Sequence, residues 1–161
     1  MLETTLCYLS VKGKTLMLFR NQKKEDLNKG KWLGIGGKIE EGETPEACML
    51  REFQEETGMK LTKYSYRGIV EFIQESWNEK MHLFTASEAD GRMHSCDEGE
   101  LSWIENEKIL DLSLWEGDRI FLRILAEEVP FFELKLFYDL NGHLLKAVLD
   151  GQLLSLPFSH A

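Results

Sequence analysis

A chain of 161 residues, 43% hydrophobic and 29% charged, is long enough for one domain with a real core. Its formal net charge of −9, from 28 acids against 19 bases, disfavours duplex nucleic acid and anionic membranes as partners. No apolar run approaches the ~20 residues of a membrane span, and the opening MLETTLCYLS lacks a basic stretch ahead of an apolar one.

Cys7, Cys48 and Cys96 form no CxxC pair and suit reduced thiols in a cytoplasmic protein better than a disulfide frame or a zinc site. Residues 3–11 and 14–20 are apolar and β-prone about Lys12-Gly13-Lys14, which predicts a hairpin. A lysine-rich loop, 21–31, leads into WLGIGGKIEEGE, whose glycines suggest close backbone approach rather than a regular element. Thr44 as N-cap, Pro45 at the first helical position and Gly58 as a stop predict a helix over 45–57. Strands are expected at 65–76 and 79–87 about Trp77-Asn78, with a short strand at 100–105 and a helix at 113–127. A closing hairpin, 131–138 and 143–149, turns at Asn141-Gly142. One α+β domain is expected over residues 1–150, with 151–161 as a loosely held tail.

The predicted helix poses a problem. Glu52, Glu55 and Glu56 share one narrow arc, while Leu50 and Phe53 point nearly opposite, toward a core. Like charges at this spacing cost about 0.2–0.5 kcal/mol per pair, and the helix C-terminus disfavours anions. On its own, an acidic helix is most simply a solvated face. A hard divalent cation, Mg²⁺ or Mn²⁺, would resolve the repulsion, because it takes carboxylate oxygens and phosphate oxygens together.

The surroundings favour the cation. From Gly37 the chain reads GKIEEGETPEACMLREFQEETGM, which fits G-x5-E-x7-R-E-U-x-E-E-x-G-U at every specified position, U being a bulky apolar residue. The sequence thus resembles the Nudix hydrolases, which cleave nucleoside diphosphates linked to another moiety. The resemblance implies a mixed sheet sandwiched between helices (α/β/α), with Glu52, Glu55 and Glu56 as metal ligands and catalytic acids. Arg51 stands among them; its pairing with Glu43 reads as a structural brace, with direct catalysis the minor alternative. Gly36 and Gly37 would let a backbone carbonyl approach the metal, with Gly37 the expected ligand. Lys38 either touches a phosphate or is an idle surface lysine. Cys48 reads as a small apolar filler.

The layout around the box, including GIVEFI, LSWIE, LWEGD and FFELKLFYD, looks like the MutT-type purine nucleoside triphosphatases. What that resemblance implies is a Mg²⁺-dependent pyrophosphohydrolase of a purine nucleotide such as 8-oxo-dGTP, releasing a monophosphate and pyrophosphate. Other nucleotides (an ordinary NTP, a dinucleoside polyphosphate, a nucleotide sugar) and a silent ligand-sensing module are the alternatives. A monomer or homodimer, acting on a small molecule without nucleic acid or membrane partners, is expected.

Further site residues follow from the resemblance. Glu98 would approach the metal from a separate loop, or is a turn carboxylate. Trp115 would wall the base and Asp118 would meet its edge, unless the pair is ordinary packing. Thr5 and Arg20 would lie near base and phosphate. Leu33 departs from the pattern, since an asparagine follows the corresponding Trp in part of the family, so one base-reading hydrogen bond is lost. Trp32 and Trp103 read as packing residues. His82, His94, His143 and His160 lack spacing or an acidic partner that would suggest a metal site or dyad.

Overall fold

In this computed structural model, of which residues 1–156 are described, Leu2–Val11 (β1) runs through the middle of a mixed sheet. The chain continues through Lys14–Phe19 (β2), Trp32–Leu33 (β3), Ile35–Lys38 (β4), Pro45–Thr57 (α1), Lys60–Gln74 (β5) and Trp77–Asp90 (β6). Glu100–Glu105 (β7), a 3₁₀ turn at Asn106–Asp111 and Glu116–Leu125 (α2) follow. Phe132–Tyr138 (β8), Leu144–Leu149 (β9) and Gln152–Leu153 (β10) complete it. The strand order is β10-β9-β8-β5-β6-β1-β2-β3, with β4 on β1 and β7 on β2. β1 lies parallel to β6, and β5 parallel to β8, whereas the remaining pairs are antiparallel.

Both faces of β1 are buried, so its sequence shows no polar alternation. Leu6 and Tyr8 pack with Ile120, Phe121 and Ile124 of α2, while Cys7 and Leu9 pack with Met49 and Phe53 of α1. The two helices therefore cover opposite faces, giving the expected sandwich.

α1 forms where its signals place it. Thr44 Oγ1 accepts the Ala47 N–H at 3.1 Å, and Gly58, at φ +82°, ends the helix by donating to the Gln54 carbonyl at 2.8 Å. Its inner face is Cys48, Met49, Phe53 and Thr57. Phe53 points inward as expected, but Leu50 is only partly buried and Met49 takes the core position.

Other expectations need correction. The glycine-rich stretch does contain a strand: β4 pairs antiparallel with β1, Thr4 opposite Lys38 and Leu6 opposite Gly36. A Cβ on Gly36 would lie 1.8 Å from the Thr5 carbonyl oxygen, so glycine is what permits that pairing. The long hairpin turns at Glu75-Ser76, and Trp77 is already in β6 opposite Gln74. The second helix is shorter than 113–127, because the 3₁₀ turn and an extended Trp115 precede it. Gln152 and Leu153 pair with β9, so the expected loose tail begins as a strand; its last five residues, 157–161, lie outside the described residues. Trp103 is 36% exposed rather than packed, whereas Trp32 packs at a tilt against Phe19, ring centres 5.0 Å apart.

Candidate active site

The acidic arc of α1 is organised by a cation already in the chain. Arg51 donates from Nε to Glu43 Oε2 at 2.7 Å and from Nη2 to Glu43 Oε1 at 2.8 Å, a bidentate clamp between helix and preceding loop. Its Nη1 reaches Glu52 at 2.9 Å and Glu55 at 3.3 Å. The Arg51 hydrogen bonds hold the Glu43 carboxyl down to about 2, helped by the Glu40 backbone N–H. The brace expected between Glu43 and Arg51 is thus present. One guanidinium also relieves much of the repulsion that α1 imposes on its acids.

Glu52 lies against β4, where a Cβ on Gly37 would meet its carboxyl carbon at 2.4 Å. Burial raises the Glu52 carboxyl, and Arg51 opposes that rise. Cys48 is fully buried, as a filler would be, yet its Sγ also lies 3.4 Å from both Thr5 Oγ1 and the Lys38 carbonyl.

Glu56 is the most deeply set of the three. Its Oε2 is enclosed with no hydrogen-bond partner among the described residues. Burial, and then the adjoining Glu98 carboxyl, push it up to about 9. Burial would raise Glu98 as well, but Glu56, Arg20 and Lys23 together hold it below the usual range. Arg20 Nη1 lies 3.4 Å from Glu98, and Lys23 Nζ lies 3.3 Å from it. Glu98 therefore reaches the α1 acids from the loop before β7.

Among the described residues, no three His, Cys, Asp or Glu side chains converge as a ready metal cage. Arg51, Arg20 and Lys23 instead hold these carboxyls apart. The donor chemistry nevertheless fits a hard divalent cation. Only oxygen donors are offered, and an enclosed, unpartnered Glu56 oxygen is the kind of group such an ion satisfies.

The second part of the site lies on the α2 face. Trp115 precedes α2, and its Nε1 donates to Asn28 Oδ1 at 2.8 Å, with Lys31 Nζ 5.0 Å over the ring. Tyr138 stands edge-on to it at 6.2 Å between ring centres, and Phe72 continues the row at 6.4 Å from Tyr138. Asp118, 2% exposed, lies on the first turn of α2 and makes no side-chain hydrogen bond among the described residues. Burial first, and then the charge of Glu79, push its carboxyl up to about 8.

Not every expected residue joins this second group. Thr5 belongs to the α1 face, buried against Cys48, whereas Thr4 occupies the Asp118 face. Neighbouring strand residues point to opposite sides, so one position decides the matter. Lys38 pairs with Thr4 on that same face, at the exposed edge of β4. Arg20 does reach the acid cluster, through Glu98, while Nε is held by Asp26 at 2.7 Å. The histidines are less isolated than expected. His82 is buried beside Tyr66 Oη and 3.2 Å from Glu3, and His143 lies 3.4 Å from Asp139. His160 lies outside the described residues. Asp26, Asn28 and Glu79 carried no signal in the sequence, and Phe72 and Tyr138 stood in GIVEFI and FFELKLFYD with no role assigned; tertiary pairing recruits each of them.

An acid-bearing box helix packed on a mixed sheet, with a row of aromatic rings and a buried acid on the other face, suits an enzyme that processes nucleotides. Residues 3–125 match the NUDIX domain, and the chain belongs to the Nudix family. It is a hydrolase of the MutT type, a nucleotide pyrophosphohydrolase acting on acid anhydrides. The crystal structure of the MutT protein from Bacillus halodurans is similar at TM-score 0.84 and 26% identity, covering 93% of this chain and 98% of that one. The oxidized purine nucleoside triphosphate hydrolase of Danio rerio is 29% identical over 141 residues, 86% of each chain. The mouse protein of the same name is 30% identical over 111 residues, 68% of this chain and 71% of its own.

Proposed function

We propose that this enzyme hydrolyses an oxidised purine deoxynucleoside triphosphate, 8-oxo-dGTP or a close relative, to the monophosphate and pyrophosphate with Mg²⁺, for which Mn²⁺ can substitute. The observation that carries the purine is Asp118: a buried acid without a hydrogen-bond partner among the described residues, beside the Trp115–Tyr138–Phe72 row. A row of aromatic rings with one polar reader suits a nucleobase, and stacking on an aromatic face is worth about 1–3 kcal/mol per base. The names of the zebrafish and mouse relatives support the same substrate class.

Glu52, Glu55, Glu56, Glu98 and the Gly37 carbonyl are the groups that would hold the cation. When bound, it neutralises phosphate charge and lowers the pKa of water. Arg20 and Lys23, now paired with Glu98, offer donors to phosphate oxygens. Lys38, exposed at the edge of β4, stands between the two halves of the site. Glu55 is the most exposed acid of the arc, its side chain 60% accessible and paired with Arg51, which suits a group that takes a proton from the attacking water. Removal of damaged nucleotides before DNA synthesis, in the cytoplasm, is the role that this chemistry serves.

The test is a panel of 8-oxo-dGTP, dGTP, dATP, a dinucleoside polyphosphate and a nucleotide sugar, with Mg²⁺ and product analysis. Markedly higher kcat/KM for 8-oxo-dGTP than for dGTP, with pyrophosphate released, supports the reading. Equal rates for the two would end the sanitising role while leaving a purine triphosphatase, and turnover of the sugar alone would end both.

A further inference from the structure

We propose that Glu79 is a second base-reading residue of the α2 face, accepting from the N–H edge of a 6-oxopurine while Asp118 faces the neighbouring carbonyl. This deepens, and rests on, the purine nucleotide reading above.

The position of Glu79 is fixed by strand register. It pairs with Phe72 of β5 and Leu2 of β1, so its side chain shares the face that carries Met81, Leu83, Leu6 and α2. Phe72 is also a member of the aromatic row, and Trp77, two residues before Glu79 on the same face, lies 6.4 Å from Phe72 between ring centres. Glu79 therefore stands at the end of the stacking wall, with Asp118 close enough for the two charges to interact.

Its hydrogen bonding is unbalanced. Thr4 Oγ1 donates to Oε2 at 2.5 Å, and no protein donor among the described residues meets Oε1. Glu79 is only partly buried, so its second oxygen stays open to a donor from outside the protein. The groups facing it are few: the Thr4 hydroxyl on β1, the Lys38 charge on β4, Asp118 on α2 and the Phe72 ring on β5. None of these satisfies the second oxygen as a salt bridge.

The two acids are chemically unequal. Asp118, pushed up by burial to about 8, holds a proton near neutrality and can donate it. Burial raises Glu79 too, with the Thr4 hydrogen bond and the Lys38 charge opposing that rise; its acceptor role in the pair rests on geometry, since the Thr4 hydroxyl already donates to its Oε2. A donor beside an acceptor complements a carbonyl next to a ring N–H, as in guanine and its 8-oxo derivative. Adenine presents the reverse, an amino group beside a bare ring nitrogen. Glu79 thus supplies the polar partner that Leu33 cannot.

The test compares dGTP, 8-oxo-dGTP, dATP and 1-methyl-dGTP, which lacks the N1–H, on wild-type enzyme, Glu79→Gln and Glu79→Leu, with melting temperature as a control. In the wild type, methylation of N1 should lower kcat/KM by about tenfold or more, through KM. Both variants should compress the dGTP-to-dATP ratio by a similar factor while kcat for the preferred substrate changes little. If 1-methyl-dGTP is cleaved as well as dGTP, Glu79 does not read the base, and this needs no folded variant. An equal loss on all four nucleotides would assign Glu79 a structural role and overturn the proposal. Wild-type enzyme that leaves every purine triphosphate intact would instead sink the substrate reading itself.

Discussion

The two faces of the central strand handle acids in opposite ways. On the α1 side, carboxyls are crowded and most meet a cation: Glu43, Glu52 and Glu55 share Arg51, and Glu98 meets Arg20 and Lys23, while Glu56 keeps one oxygen unpartnered among the described residues. On the α2 side, the buried Asp118 and the half-buried Glu79 have no salt-bridge partner among the described residues. The first arrangement can exchange its internal cations for metal and phosphate, while the second can exchange only hydrogen bonds. On the proposed reading, charge neutralisation and base reading are separated by one strand thickness, with β4 as the boundary: Gly37 backs onto Glu52, and Lys38 faces the Thr4 side.

That division predicts a ranked set of failures. Glu56→Gln should have the largest effect, a fall in kcat of about 10³-fold with the protein still folded, because it removes an oxygen donor and not a packing group. Steady-state kinetics with circular dichroism would check it; near-wild-type turnover would dissolve the role given to the α1 face. Gly37→Ala should come next. The new Cβ would press on the mobile end of Glu52 rather than on backbone, so the fold should survive while kcat falls by about 10–100-fold. Metal affinity measured by calorimetry should weaken in parallel, and an unchanged value would show that Glu52 can move without consequence.

The same contrast explains how much was legible in the sequence. The α1 half is written in one continuous stretch, from Gly37 to Met59, with its caps at Thr44 and Gly58, so helix limits, acids and brace could all be read locally. The α2 half is assembled from Thr4, Phe72, Glu79, Asp118 and Tyr138, which register brings together from five elements. Thr5, expected near the base from the resemblance, lies on the α1 face; β1 is apolar on both faces, so its sequence shows no alternation that assigns a side. β4 was missed because glycine weakens strand propensity, although the absent Cβ is what allows Gly36 to approach Thr5. The hairpin turn was misplaced by two residues since Glu75-Ser76 lacks the usual Asn-Gly or Asp-Gly signal. Asn28 and Asp26, which pin the 21–31 loop to Trp115 and Arg20, look like any loop polar residue until the fold supplies their partners.

A smaller effect separates wall from reader on the α2 face. Trp115→Ala removes stacking surface but leaves Asp118 and Glu79 in place, so KM for a purine triphosphate should rise by about 10–100-fold, with kcat less affected. Because the wall is indifferent to base edges, the dGTP-to-dATP ratio should hardly move; a collapsed ratio would mean that Trp115 positions the readers as well.

The smallest expected effect is on stability, and its sign follows from Asp118. Its carboxyl sits at about 8 in the folded protein, against an ordinary value of 3.8, so folding favours the protonated form. Between those limits the folded state binds more protons than the unfolded one, and stability falls as pH rises. The contribution is complete below about pH 4 and is spent once pH passes about 8. Wild-type melting temperature should therefore decline from pH 6 to pH 9, and Asp118→Asn, which cannot titrate, should decline less. Glu56 pushes in the same direction from the other face, so the comparison belongs in saturating Mg²⁺, where bound cation would favour the ionised Glu56 carboxylate. A steeper decline in the variant than in the wild type would show that the α2-face acid is ionised in the folded enzyme, and would reverse the donor role assigned to it.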